Sequence, residues 1–432
     1  GTLNISASDV KDAKLTATVT IPAADVDAAI KKAYKAVAKQ YRFPGFRPGK
    51  APRAVIDSAL GSEAVRAQAT NELIGSNEGA VLNELDIVPL KEGNYENIDL
   101  AQDGTDYTYT VEFTLRPTPV LSSYEAVSIE MPPAEVTEAE IDSQVEMLMG
   151  YHSTFEDVER PIADGDYVTL DIENVKNAEA LAGEGRMYPM GSLSLPEAFE
   201  AGLAGMKAGE EKEISWTPEG AEEAAVKVTV KAVKERKTPE LTDEFAKESF
   251  GFESIEAMRD AIKLEIEADK NSKLPSLKEN RAVSKLAERL ELDEMDADYE
   301  QSVFSELGQN FLQNLSARGM TLDTWLSANG LTSEAFIADL HQQANDVARE
   351  SLALDALARE LKIEVTEEDV DNEFKSAGIE DVAASKAAFL AEGRMPAVRD
   401  SIRRSKAVDW LVENALVTEV DEYAKAAEQD AE

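Results

Sequence analysis

Cysteine is absent from this 432-residue chain, and histidine is nearly absent, with two residues. Without cysteine there is no disulfide framework and no thiol chemistry, which fits a reducing cytosol. His152 and His341 lie far apart in sequence and show no metal-ligand spacing. A Walker loop and a G-x-G-x-x-G motif are both missing. We therefore expect no use of ATP or dinucleotides, no cofactor and no bound metal.

Long apolar runs are also missing. No stretch approaches the roughly 18 apolar residues of a membrane-spanning helix, and the first residues lack the basic and apolar regions of a signal peptide. These absences predict a cytoplasmic protein without a membrane partner. The length suggests roughly three domains of about 150 residues, and a hydrophobic content of 43% is sufficient for packed cores.

Positive charge is scarce and unevenly distributed. The chain has 44 basic and 85 acidic residues, a formal net charge of −41, yet residues 31–53 contain eight basic residues and no acidic one. The remainder has 36 basic and 85 acidic residues, a formal charge of −49. A surface of this kind repels nucleic acid in general. A polyanionic partner must therefore bind locally, at the basic segment.

The lysines of this segment allow two interpretations. Lys31, Lys35 and Lys39 are spaced by four residues, so they form either the solvated face of a helix or part of a surface that binds a polyanion. The lack of acidic residues and the adjoining loop favour the second interpretation.

The loop at 43–52 connects two predicted helices, one over 25–41 and one over 54–85 that is broken near Gly61. Strands predicted over 15–21 and 107–115, from alternating apolar residues, flank them. The loop would thus lie at the tip of a helix-loop-helix projection.

The prolines at positions 44, 48 and 52 restrict this loop. Phe46 beside Arg47 at a rigid tip predicts a docking element. The alternative is that Phe46 folds back to cover the hairpin.

These residues resemble a known family. Gly45-Phe46-Arg47-x-Gly49-x-x-Pro52 resembles the ribosome-binding loop of trigger factors, bacterial chaperones that sit over the polypeptide exit tunnel. The Thr238–Phe245 segment and the long acidic helical remainder are similar to the same family, so the resemblance covers essentially the whole chain. It implies that the ribosome-binding residues are Gly45, Phe46, Arg47, Pro48, Gly49 and Lys50. Members often have lysine in place of Pro48, so Lys39 or Lys50 is expected to supply that charge.

The resemblance implies an α+β multidomain fold. Its expected parts are an α+β ribosome-binding domain over 1–116, a linker with a helix that packs on the C-terminal domain over 117–160, an inserted FKBP-like β+α domain over 161–237, and an extended all-α client-binding domain over 238–432.

Threonine residues predict the starts of three helices. Thr137-x-x-Glu140 predicts a capping box, and Thr242 and Thr366 predict simple helix caps.

The segment from Leu195 to Phe199 resembles the Ile-Pro-Gly-Phe turn of FKBP-type prolyl isomerases. This implies a substrate pocket formed by Ile172, Tyr188, Leu195, Phe199 and Trp216. Rotation about an X-Pro bond needs an apolar pocket and no acid, base or nucleophile. The chain departs from the FKBP pattern, because Ile172 stands where a phenylalanine is usual and the flap around Trp216 has no tyrosine. Two interpretations stay open: these side chains line a weakly active cleft, or they form the core of a small sheet.

The function implied by the resemblance is that of an ATP-independent chaperone, which docks at the exit tunnel and shields nascent polypeptides. Its expected partners are ribosomal protein and ribosomal RNA, nascent and unfolded polypeptides, and a second copy of the chain when off the ribosome. One alternative is a soluble peptidyl-prolyl isomerase, which would explain only the middle third of the chain. Another is a ribosome-independent holdase, which would leave the basic loop without a role.

Overall fold

The structure is a computed structural model that describes residues 2–96 and 98–431. These residues divide into two compact units. The first unit contains the residues up to Glu130 together with Pro275–Thr418, and the second contains Met131–Leu274 together with the residues from Glu419 onward.

The helices and strands follow one another in a mixed order. The N-terminal part contains β1 Asn4–Ala7, β2 Lys14–Ile21, α1 Ala23–Gln40, α2 Arg53–Leu60, α3 Ala64–Leu85, β3 Asn94–Tyr95, β4 Tyr107–Thr114 and β5 Ser128–Met131. The middle contains α4 Glu138–Gly150, β6 Thr154–Asp157, β7 Tyr167–Lys176, a 3-10 turn at Glu179–Leu181, β8 Gly183–Pro189, α5 Glu197–Leu203, β9 Glu211–Trp216 and β10 Ala224–Lys237. The C-terminal part contains α6 Asp243–Phe250, α7 Ile255–Ala287, α8 Ala297–Ala317, α9 Leu322–Ala328, α10 Ser333–Glu360, α11 Glu367–Ser376, α12 Val382–Ala391, α13 Met395–Asn414, β11 Leu416–Glu419 and α14 Glu422–Ala431.

In the first unit, an antiparallel sheet of order β1-β2-β4-β3 supports α1 and α3. Alternate residues of β2, from Leu15 to Ile21, are buried and share one core with Ile30 and Val37 of α1. This alternation is what a strand with one covered face requires. Because Ile30 and Val37 face the sheet, the lysines between them face solvent.

A buried ion-pair cluster joins this α/β part to the helices of the same unit. The Asp355 carboxylate accepts hydrogen bonds from Arg116 Nε at 2.7 Å and from Arg404 Nε at 2.8 Å, and Arg116 also contacts Asp400 at 2.8 Å. Burial raises the pKa of Asp355, but the two arginines outweigh it and hold that pKa below its usual value. Loss of one partner would leave a charge buried and unpaired, which typically destabilises a protein by about 3–5 kcal/mol.

A close backbone approach occurs between α3 and the turn that follows α12. A Cβ atom added at Gly79 would lie 2.2 Å from the Ala391 carbonyl oxygen and 2.9 Å from the Gly393 nitrogen. Gly393 itself has a φ of 71°, which favours glycine. Glycine at 79 is therefore required by packing, although it lies inside a helix.

The second unit contains an antiparallel sheet in which β6, β10, β7 and β8 are successive neighbours and β9 pairs with β10. In the same unit, Ile141 of α4 packs with Met258 and Ile262 of α7. Lys270 is buried and donates to the Pro133 carbonyl at 2.6 Å, to the Glu135 carbonyl at 2.9 Å and to Glu140 Oε1 at 2.6 Å. The buried ammonium is thus fully paired.

The α+β fold class predicted from the sequence is confirmed, and β11 is a short strand within the otherwise helical C-terminal part. The Thr137 capping box is present. Thr366 differs from the prediction of a simple cap, because its backbone N–H donates to the Asp369 carboxylate and completes a second capping box. The division of the chain into four domains remains a prediction.

We expect Gly79→Ala to destabilise the first unit by about 1–3 kcal/mol, since the new methyl group overpacks a backbone contact. Gly75→Ala is the matched control, because it lies in the same helix and its Cβ would meet nothing within 4 Å. There the gain in helix propensity should stabilise by about 0.4–1 kcal/mol. Urea unfolding followed by circular dichroism measures both changes, and equal stability of the two variants would contradict the packing argument.

Candidate functional site

The loop between α1 and α2 consists of two consecutive tight turns. Phe46 N–H donates to the Phe43 carbonyl at 3.2 Å, and Lys50 N–H donates to the Arg47 carbonyl at 3.0 Å. In each turn the second residue is proline and the third is glycine, with φ of 85° at Gly45 and 82° at Gly49. These are the features of type II turns, which need a positive φ at the third position.

Two contacts fix the loop to the domain. Phe43 is 5% exposed and joins the core of the first unit, while Gly49 N–H donates to the Ala38 carbonyl at 2.9 Å. The second contact satisfies one of the free carbonyls at the C-terminal end of α1. The loop is therefore held at both turns and needs little ordering on binding.

The tip of the loop is exposed. Phe46 is 42% exposed, and Arg47, Pro48 and Lys50 are also exposed. Of the two interpretations of Phe46, the structure supports the outward one. The structure brings the predicted residues from Gly45 to Lys50 together on one short projection.

Most of the basic segment carries unneutralised charge. Seven of its cations have no carboxylate within 4.0 Å of their side-chain nitrogens, counting residues 2–96 and 98–431, which the structure describes. They are Lys31, Lys32, Lys35, Lys39, Arg42, Arg47 and Lys50. Arg53, the eighth cation, differs: it pairs with Asp103 at 3.2 Å, and its guanidinium lies 4.8 Å from the centroid of the Tyr34 ring. Arg53 is thus a tether of the loop and not a free cation.

A polar network beneath the loop holds the three helices together. Tyr34 donates to Asp57 at 2.6 Å, and Arg66 contacts the Tyr34 hydroxyl at 3.1 Å and Asp103 at 3.0 Å. Burial and the bond to Asp57 raise the pKa of Tyr34. Burial raises the pKa of Asp103, yet hydrogen bonds from Arg53 and Arg66 hold it below its usual value.

Sequence reasoning missed this network and the anchoring role of Phe43. The repeated Pro-Gly pairs at 44–45 and 48–49 were a usable signal for two turns. No local signal links Arg53 to Asp103, because the two residues are joined only by the fold.

The five residues predicted for an isomerase pocket also come together, in the second unit. They share one hydrophobic cluster on the sheet, in which Phe199 is fully buried, Ile172 and Leu195 are nearly so, and Tyr188 and Trp216 are half-buried. The Phe199 and Trp216 ring centroids lie 5.4 Å apart. This packing is that of a core, in which Tyr188 and Trp216 are the two of these five side chains that stay partly accessible.

In the part of the chain that the structure describes, no group of three or more His, Asp or Glu side chains could hold a metal ion. Over the same residues, every helix is too short or too polar to cross a membrane.

Comparison with known proteins gives consistent matches. Residues 3–148 match the family model of bacterial trigger factor protein, and residues 254–413 match the model of its C-terminus. Trigger factor of Lysinibacillus sphaericus is 34% identical over 417 residues, which cover 94% of this chain and 97% of the relative. Trigger factor of Mycobacterium bovis BCG is 30% identical over 415 residues, covering 93% and 88%. A solved structure titled "Promiscuous Substrate Recognition in Folding and Assembly Activities of the Trigger Factor Chaperone" is 21% identical with a TM-score of 0.40, covering 94% of this chain and 99% of that one.

We expect Gly45→Ala and Gly49→Ala to open their turns, because a Cβ at positive φ costs about 1–2 kcal/mol. The amide protons of Phe46 and Lys50 should then exchange with solvent about 5–30 times faster. Asparagine tolerates this conformation better, so Gly45→Asn and Gly49→Asn should have smaller effects. Site-resolved hydrogen exchange tests this, and unchanged exchange in both alanine variants would contradict the two-turn description.

Proposed function

We infer the function from one premise: this chain belongs to the trigger factor family, and it is a ribosome-associated chaperone that assists protein folding. Its partners are the ribosome and nascent or unfolded polypeptides. Family membership does not favour the alternatives of a soluble isomerase alone or a ribosome-independent holdase.

We propose that Gly45, Phe46, Arg47, Pro48, Gly49 and Lys50 form the ribosome contact. The observation that carries this proposal is that Phe46 is exposed on a loop held by two consecutive turns. The cations beside it have no carboxylate partner within the described residues. A rigid aromatic side chain loses little entropy when it enters a pocket, which is typical of residues that dominate binding energy.

The loop offers two kinds of contact. Phe46 provides shape recognition on the surface of a ribosomal protein, whereas Arg47 and Lys50 attract the phosphates of ribosomal RNA. The attraction is independent of RNA sequence and weakens with salt. Because the remainder of the chain is strongly negative, such contact is restricted to the basic segment over 31–53.

We further propose that the helical region over 238–432 holds client polypeptides, without ATP and in the cytoplasm. Half-buried aromatic side chains on α8, α9 and α10 support this: the ring centroids of Phe311, Trp325 and Phe336 lie within 5.7 Å of one another. Association into a homodimer off the ribosome is proposed on the family resemblance alone.

For the sheet over 161–237 we propose weak prolyl isomerase activity. Phe199, Leu195 and Ile172 are occupied by core packing, so a substrate could reach only Tyr188 and Trp216. Such a surface stabilises a twisted, less polar X-Pro bond poorly.

We expect the triple variant Phe46→Ala, Arg47→Ala, Pro48→Ala to fold but to lose cosedimentation with bacterial ribosomes. Phe46→Ala alone should weaken binding about 30-fold or more, as for an anchor worth about 2 kcal/mol. Phe155→Ala is the matched control, since Phe155 is 44% exposed against 42% for Phe46. Binding of the triple variant at the level of the unmodified chain would refute the loop as the contact.

We expect the intact chain to catalyse prolyl-peptide isomerisation much more slowly than active FKBP-type enzymes, because Ile172, Leu195 and Phe199 are enclosed in the core. A protease-coupled assay with a short Phe-Pro peptide measures this rate. The loop variant Phe46→Ala serves as a control and should not change it. A rate typical of active FKBP-type enzymes would overturn the proposal of weak activity.

A further inference from the structure

Outside the loop, α1 presents a continuous surface of four lysines. We call Lys31, Lys32, Lys35 and Lys39 the lysine face. All four are exposed, whereas the opposite side of α1 is buried against the sheet through residues such as Ile30 and Val37. The helix is therefore fixed in rotation, and its ammonium groups cannot turn inward.

Asp27 lies one turn before Lys31 in the same row of α1, but from Ala28 to Gln40 this solvated face contains no acidic residue. Like charges four residues apart repel each other, and the chain has 85 acidic side chains available to interrupt them. The helix dipole favours a cation only in the last turn, which accounts for Lys39 but not for Lys31, Lys32 or Lys35. Their retention points to an anionic ligand.

The lysine face and the loop form one surface. The stem of Lys39 lies against Gly49, since a Cβ added at Gly49 would be 3.3 Å from Lys39 Cγ. Gly49 N–H also donates to the Ala38 carbonyl. A ligand on the lysine face would therefore be contiguous with a partner held by Phe46.

The spacing of the lysines indicates what kind of anion fits. Lys31, Lys35 and Lys39 advance along the helix by about 6 Å per step, at 1.5 Å per residue. A row of evenly spaced charges matches the repeating phosphates of a nucleic acid strand. Lysine binds phosphate as a point charge with rotatable donors, and such contacts position a strand without reading bases.

We propose that the lysine face binds the phosphate backbone of ribosomal RNA beside the docking loop. This inference rests on the proposed function. It assigns RNA to α1 and leaves the shape-specific protein contact to Phe46. An acidic protein surface is the competing ligand, and the experiments below discriminate between the two.

The first test uses the variant Lys31→Gln, Lys32→Gln, Lys35→Gln. Loss of three phosphate contacts should reduce the slope of log K against log salt by about 2, at about 0.7 per contact on a single strand. Between about 50 and about 200 mM salt, the unmodified chain should lose roughly 20-fold more affinity for purified ribosomes than the variant does. The corresponding arginine variant should keep the original slope.

A matched control removes the same charge elsewhere. Lys207, Lys375 and Lys425 are exposed, and in the part of the chain that the structure describes no carboxylate lies within 4.0 Å of their ammonium groups. Replacing them with glutamine should leave the slope unchanged. An equal reduction in slope by this control would show that net charge alone acts, and it would overturn the proposal.

The second test identifies the ligand directly. Because the chain has no cysteine, Lys35→Cys provides a single attachment point for a photoreactive maleimide. On ribosomes it should crosslink to RNA, detected by primer extension. Crosslinks to ribosomal protein alone would overturn the RNA assignment while leaving the role of Phe46 intact. Failure of the unmodified chain to bind ribosomes at any salt would overturn the proposed function as well.

Discussion

Repulsion between like charges constrains where this protein can meet a polyanion. With a formal charge of −41, most of the molecule repels RNA at any distance that salt does not screen. An attractive contact therefore needs cations that no internal carboxylate neutralises. Arg116 and Arg404 are neutralised around the buried Asp355, and they contribute to cohesion of the first unit. The cations from Lys31 to Lys50 are left without such partners in the described structure, so their charge is available to a ligand.

The rigidity of the loop follows from the same need. A flexible basic loop would fold back toward a negative surface, and ordering it would cost conformational entropy on binding. Here Pro44 and Pro48 fix φ ahead of two glycines, and Phe43 inserts into the core. Arg53 forms an ion pair with Asp103, so its charge is neutralised within the protein, and the pair fixes the base of the loop. Rigidity and free charge are thus assigned to different residues.

Local patterns predicted much of this architecture. The period of 3.6 located α1 within two residues of its ends, and Gly61 separates α2 from α3 with a φ of 94°. Contacts between distant residues had no such signal. From the sequence, Gly79 is only a residue of low helix propensity, and its contact with Ala391 is visible only in the structure. Likewise, nothing in the sequence distinguishes Asp103 from the other acidic residues, of which the chain has 85 in all. Sequence order carries periodicity and turn chemistry, but it does not show which distant side chains meet.

The sheet of the second unit illustrates why residue type alone did not separate a core from a cleft. A phenylalanine that lines an open pocket and one that fills a core satisfy the same sequence pattern, because both are apolar and follow the same turn. Exposure separates them: Phe199 is fully buried and packs on Trp216. Moving Phe199 out to meet a substrate would open a cavity that typically costs several kcal/mol. A side chain that stabilises the sheet to this extent is not free to bind a substrate. Among the five predicted residues, this leaves the half-buried Tyr188 and Trp216, which lie on β8 and β9 at opposite edges of the sheet.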